Sequence, residues 1–373
     1  MHSDLIAAIE HSDQPKAKTI LESLLSDSQA DPMAIHDALF PVVHKVLNPP
    51  FINPHLAKMY AINRELVVFL EPSDIASLLR VEVQEYTRRE KLPPLAEPVT
   101  ISSSGVFSDI EKAVAGQDVY QTALTMAAYS KGAEPAQLAG RLLLLGSGFL
   151  NQSLGHSVSC TAFILLELIH RHDQDPWPAL VLLADYFCKG RFQRTPELQY
   201  TALSAYREVY LGELKKAVSG TGIVALHHTI TLYTIERCRH LFEPREYDHM
   251  LTMWSQMFSD KHENLRPVSN FTATALPRFY DFFKVFSRYD PVPVLNMVKG
   301  SLEKEDDRSR FGRYLIKGVL GCYDGQYNPH YLTGLGSALW VLESFHGQPE
   351  IVLNALYQYL EFFFSGVNSA RAR

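Results

Sequence analysis

Cysteine is scarce in this chain and never paired in sequence. Cys160, Cys188, Cys238 and Cys322 are the only four in 373 residues, and no Cys-x-x-Cys occurs. That spacing argues against a zinc ribbon, an iron–sulfur cluster or a disulfide framework. Long hydrophobic runs are missing too: charged or polar residues interrupt every apolar stretch before about 18 residues, so no membrane span is expected. Met1 leads into a polar, helical pattern rather than a basic and then apolar leader. No signal peptide is expected, and the expected location is cytoplasmic. Basic clusters no longer than Arg88-Arg89 and the short tail Ser369 to Arg373, a net charge of −6 and a pI near 6.2 argue against nucleic-acid binding. Gly146 to Gly155 lacks the Lys-Ser/Thr ending of a phosphate-binding loop. There is no Gly-x-Ser-x-Gly elbow, no strand-borne Gly-x-Gly-x-x-Gly and no Cys-x-x-Cys-His haem attachment.

Sustained apolar/polar alternation is also lacking, and what fills the chain is helical periodicity. Hydrophobic content of 46% and charged content of 20% suit a folded protein with a large core. Breaks fall at Asn48-Pro49-Pro50, Glu71-Pro72, Asp173 to Pro176, Glu243-Pro244 and Asp290-Pro291. The expected fold is all-α, a compact array of about 17 antiparallel helices. Residues 1–373 read as one domain, with an N-terminal sub-bundle at 1–90 and a main bundle at 106–366. Residues 91–105 between them are either a linker or a long wrapping loop. That segment carries three prolines, three consecutive serines and a short extended candidate, Val99-Thr100-Ile101.

The most informative pattern concerns histidine, of which there are 15. Asn-Pro-His occurs at 53–55 and again at 328–330, each time opening an apolar stretch. Asn is a good N-cap and Pro suits the first helical position, so each histidine belongs in a first turn. His55 shares its face with Met59, Ile62 and Leu66, and His330 with Gly334, Ser337 and Val341. His156 similarly heads Cys160 and Phe163, and His228 heads Leu232 and Ile235. Three of the four read His-x-x-Ser/Thr, although His249-Met-Leu-Thr252 matches equally well in a charged segment. Four inward imidazoles on separate helices would converge at the centre, and neutral imidazole is a common ligand for transition metals.

Two neighbours compete for these places. His44 lies in an equally apolar stretch, but His55 has the better-defined helix start. His227 adjoins His228, and the phase through Leu232 and Ile235 selects His228. Gly334 and Gly336 imply close approach of a neighbouring helix or a ligand. A rival pattern, Glu-x-x-His at Glu167–His170, Glu246–His249 and Glu343–His346, has the spacing of dinuclear carboxylate sites. The second of these pairs falls in a charged segment expected to be exposed. The aromatic run from Phe279 to Tyr289 reads as core packing more readily than as a quinone pocket.

The segments Phe51-Ile-Asn-Pro-His-Leu-Ala-Lys-Met-Tyr60, Leu154-Gly-His-Ser-Val-Ser-Cys-Thr-Ala162, His228-Thr-Ile-Thr-Leu-Tyr-Thr-Ile235 and His330-Tyr-Leu-Thr-Gly-Leu-Gly336 resemble the four His motifs of the questin oxidase-like proteins. The resemblance lies in motif order across roughly residues 40–350, and a shorter variant found beside Rieske-type proteins is the nearer likeness. It implies an all-helical fold and a non-haem iron (or other divalent transition metal) centre held by His55, His156, His228 and His330. It further implies an oxygenase-like oxidoreductase acting on a small, aromatic substrate, with a Rieske-type or other redox partner. The family's last motif carries a lysine, modified in some members, three residues after its histidine; here that position is Thr333. The departure leaves open a non-catalytic helical binding or scaffold protein that keeps the fold. A haem held by two of the histidines is a further alternative.

Overall fold

The regular structure in the computed structural model is entirely helical among the described residues, which are 2–27, 30–98, 100, 105–258, 265–325 and 327–371. They form twenty α-helical segments, two of them single turns at Phe40–Val43 and Leu150–Ser153, and no strand. Backbone pairing outside the helices is limited to isolated bridges, Val46 with Lys91 and Asn48 with Phe51. Of the extended candidate at 99–101, only Thr100 lies within the described residues.

Two of the breaks legible in sequence, Glu243-Pro244 and Asp290-Pro291, reappear as capped helix starts, and Asp31-Pro32 makes a third of the same kind. Asp31 accepts the Met33 N–H and Asp290 the Val292 N–H, each at 2.9 Å, with proline in the first turn. Glu243 and Glu246 form a capping box around Pro244. Each satisfies backbone donors that a helix start leaves open.

Four helices make the centre: His55–Leu66, His156–His170, Gly222–Arg237 and His330–Ser344. The His55 and His330 helices pack on each other. The His156 helix packs on both the His55 and Gly222 helices, the Gly222 helix packs on the His330 helix and so closes the ring, and the last helix, Pro349–Arg371, covers the Gly222 and His330 pair. The four run in the same sense rather than antiparallel, because their contacts stay in register. Lys58 meets Ser159 one turn beyond the histidines. Two turns in, Phe163 meets Tyr233, and Gly336 sits against Ile62. Parallel neighbours need long crossovers, and the intervening helices supply them. All four helix starts, with their positive dipole ends, therefore face the same side of the molecule.

The N-terminal helices are tied to this centre by a buried polar network. Glu82, wholly buried on the helix Pro72–Arg88, accepts from His36 at 3.0 Å, Asn63 at 2.8 Å and Tyr86 at 3.2 Å. His36 stacks on Tyr60 with ring centroids 4.2 Å apart. A buried carboxylate needs such partners to offset its desolvation. One apolar cluster accordingly runs from Leu5 to Val367, and a second joins Ala57 to residues between Phe107 and Phe192.

Candidate metal centre

Each central helix brings its histidine to the meeting point by a different local device. The two Asn-Pro-His starts place Pro54 and Pro329, rather than the asparagines, at the N-cap. Asn328 nevertheless caps from one residue further out, its Oδ1 accepting both the backbone N–H of His330 at 3.0 Å and the ring Nδ1–H at 2.8 Å. His156 follows Leu154 and Gly155, both left-handed at φ 51° and 78°. At Gly155 a side chain would run into Thr231 Oγ1 of the neighbouring helix, so glycine meets both the backbone and the spacing requirement.

The four imidazoles that converge are those of His55, His156, His227 and His330. Their Nε2 atoms lie 2.8 Å apart for His55–His156, 3.1 Å for His156–His227, 3.0 Å for His227–His330 and 3.4 Å for His156–His330. The rings close a cycle of edge-to-face contacts, with centroids 4.6, 4.5, 4.8 and 4.7 Å apart in the order 55–156–227–330–55. Donor atoms of His55, His156 and His330 all fall within 4.8 Å of one another. His227 extends that triad by touching two of its members.

His228 is not part of this cycle. Its ring packs on Phe258 at 5.0 Å and its carbonyl accepts the Trp254 indole N–H at 2.8 Å. Consecutive helical residues diverge by about 100°, so only one of the pair can face the centre. The phase argument selected the other because residues 225–235 are buried on every face of this helix, and a helix apolar all round has no hydrophobic phase. The usable signal was the small polar series His227, Thr231, Thr234, the face on which Thr231 approaches Gly155.

The outer nitrogens fix the protonation pattern. His156 Nδ1–H donates to the Ser153 carbonyl and His227 Nδ1–H to the Ile223 carbonyl, each at 2.6 Å, and His330 donates to Asn328 as above. An imidazole nitrogen facing a carbonyl oxygen must carry the proton, which leaves Nε2 a bare lone pair. The Asn48 amide lies 3.2 Å from His55 Nδ1. Burial, reinforced by mutual repulsion and the Lys58 charge, holds His55, His156 and His330 well below the usual imidazole range. Burial likewise pushes His227 down to about 4. At neutral pH the Nε2 atoms of His156, His227 and His330 are therefore bare, while an Asn48 N–H donated to His55 Nδ1 leaves the His55 ring proton on Nε2, 2.8 Å from His156.

Donors about 2.0–2.1 Å from one ion, at angles between octahedral and tetrahedral, lie about 2.9–3.4 Å from each other. The observed separations match that spacing. For His156, His227 and His330 the second-partner hydrogen bonds are also those that metal-ligating histidines make. The residues present therefore fit a first-row transition ion. They fit a haem less well, because two axial nitrogens would stand about 4 Å apart with the macrocycle between them. Here the other two imidazoles occupy that space.

Lys58, one turn below His55, is wholly buried; its Nζ donates to Ser159 Oγ at 3.0 Å, and burial lowers its pKa to about 8. Thr333, three residues after His330, is buried and its hydroxyl has no hydrogen-bond partner among the described residues. It does not bond back to its own helix as Thr161, Thr231 and Thr234 do. A lysine three residues after a histidine thus exists in the core, but on the first of the four helices.

The competing residues have other roles. His44 Nδ1–H donates to the Phe40 carbonyl at 2.8 Å, away from the cluster. Glu167 pairs with Arg171 at 3.0 Å, while His170 contacts Arg64. Glu246 belongs to the capping box, and His346 bonds the Glu343 carbonyl. His249 is buried, contrary to the expectation of an exposed segment, and links Gln199 N–H to Ser147 Oγ. The three Glu-x-x-His pairs thus assemble no common site. Gly334 and Gly336 admit Leu226, Tyr359 and Ile62, so close helix packing explains them.

The histidine cycle floors an open cleft of about 950 Å³, lined also by Phe51, Phe149, Phe192, Arg89, Lys189 and Arg191. Nothing in the sequence places these residues together around one cleft. No protein-family profile, curated protein or solved structure matches this chain.

Proposed function

We propose that His55, His156, His227 and His330 hold one transition-metal ion at the floor of the cleft, and that the protein is a metal-dependent oxidoreductase acting on a small organic molecule. The observation that carries this reading is the convergence of four Nε2 atoms, three of them (His156, His227 and His330) left bare because their outer nitrogens are committed to oxygen acceptors. Three lone pairs packed this closely repel each other unless a cation lies among them, and a cation would draw in His55 as the fourth donor once its proton is released. Iron is the ion the questin oxidase-like resemblance favours, and bound there it would supply one-electron chemistry with dioxygen. The chain's own contribution is to orient the rings, keep them neutral at physiological pH and admit substrate from one side only. A redox partner of Rieske type belongs to the same reading.

Metal analysis by inductively coupled plasma mass spectrometry on untagged protein, as purified and after chelation and reloading, tests it. About one ion per chain is expected, falling in His55→Ala and His156→Ala variants that remain folded. A chain that stays metal-free on reloading would refute the reading. The second reading, a helical binding or scaffold protein, would then stand on the neutral Thr333 in place of the family lysine.

A further inference from the structure

The walls of the cleft differ from the surface of this acidic protein. Among the residues that line it there is no aspartate or glutamate, while Arg89, Lys189 and Arg191 are present with the four histidines. The helices starting at His55, His156 and His330 also open onto it, adding their positive dipole ends. Lys189 is neutralised by Asp185 at 2.8 Å. Arg89 shares Glu85 with Arg88, so that trio keeps one positive charge, and Arg89 Nε is buried without a partner among the described residues. The guanidinium of Arg191 has no ion-pair or hydrogen-bond partner among the described residues.

The backbone shows how Arg191 is presented. It ends the helix Trp177–Gly190 in the left-handed conformation, at φ 54°. Glycine usually takes that position, since an L side chain there is disfavoured. Next to it Phe192 folds its ring over Gly190 and meets Phe149 with centroids 5.0 Å apart. Across the cleft Phe51, 61% exposed, faces the edge of the His55 ring at 6.2 Å. An exposed guanidinium, unpaired among the described residues and presented from a left-handed turn onto a cleft that also carries Phe149, Phe192 and Phe51, has the form of a ligand anchor.

We infer that the cleft binds an aromatic carboxylate, its ring between the Phe149–Phe192 and Phe51 walls and its carboxylate on Arg191. This inference rests on the proposed function only in taking the histidine floor to be the reactive end of the same cleft. The charge balance points the same way: four neutral ligands leave a divalent ion uncompensated, and Thr333 contributes no negative charge.

Binding of 2-naphthoate and of its neutral counterpart 2-naphthamide, followed by fluorescence titration of both chelator-treated and metal-reloaded protein, tests the assignment. The naphthoate should bind at least about tenfold more tightly than the amide, as a charge-assisted guanidinium contact implies. Arg191→Gly, which suits the left-handed backbone and should fold at least as well, should abolish that preference and leave amide binding unchanged. Arg191→Lys should retain part of it. Equal binding of the two probes, no binding of either at millimolar concentration, or an unaltered preference in Arg191→Gly would each overturn the inference. The two readings fail separately. Arg191-dependent naphthoate binding by a chain that takes up no metal would leave the inference standing and refute the metal centre. A loaded metal without anion preference would do the reverse.

Discussion

Replacing His227 and His228 by alanine, one at a time, separates the observed site from the one that helix phase alone selects. His227 Nε2 lies 3.1 and 3.0 Å from those of His156 and His330, whereas His228 packs on Phe258. A four-donor zinc site binds with about 10–16 kcal/mol, so one donor in four contributes about 3 kcal/mol, or roughly a hundredfold in Kd. His227→Ala should weaken metal binding by about that factor. His228→Ala should leave metal affinity within about twofold. It should instead destabilise the fold by about 1–3 kcal/mol through the cavity left beside Phe258. Competition titration with a chromophoric chelator measures the first effect and urea unfolding the second. The two variants bracket the rotation of one helix. Loss of metal from His228→Ala with full retention in His227→Ala would refute the geometry described here.

Acid sensitivity follows from the buried imidazoles. Burial lowers His44 from 6.5 to about 4, so between those values the unfolded chain binds a proton that the folded chain refuses. The stability from neutral His44 is full above pH 6.5 and is lost as pH falls to 4; 2.5 units at 1.36 kcal/mol each amount to about 3 kcal/mol. His44→Gln should lose that much less between pH 7 and 4 in urea unfolding, and an unchanged acid slope would contradict the assignment. Metal retention should likewise persist below pH 6 and fail nearer pH 4, where His227 protonates; release complete by pH 6 would count against the buried cluster as the site. Gly155→Ala should lower stability by roughly 1–3 kcal/mol and reduce metal uptake, because it strains the turn at φ 78° and pushes on Thr231 ahead of His156. An unaltered melting temperature and stoichiometry would show that the turn is not needed. Lys58→Met keeps the volume and removes a like charge, so metal should bind roughly tenfold more tightly, the scale of a one-unit shift from a neighbouring charge. Loss of metal in that variant would mean that Lys58 acts as a modified, anionic ligand instead.

Sequence alone determined the helical class and much of the punctuation, because caps and prolines act locally. Glu243-Pro244 and Asp290-Pro291 start helices wherever the rest of the chain goes. It also determined that His55, His156 and His330 point inward, since each is the first residue of its helix and its phase is set from that end. The choice between His227 and His228 was not legible from hydrophobic phase, because a helix buried on all sides has none, and the small polar series His227, Thr231, Thr234 acquires meaning only once its neighbour is known. Only the approach of Gly155 to Thr231 decides it. The same-sense packing of the four central helices was equally invisible, being a property of crossovers rather than of any one segment. So was the buried state of Lys58, which reads as an ordinary surface residue until Ser159 meets it from a helix 101 positions away. The cleft and its excess of positive charge exist only where Arg89, Lys189 and Arg191 are gathered over the histidines. Local chemistry writes the elements, but a site made between elements is decided by the packing that brings them together.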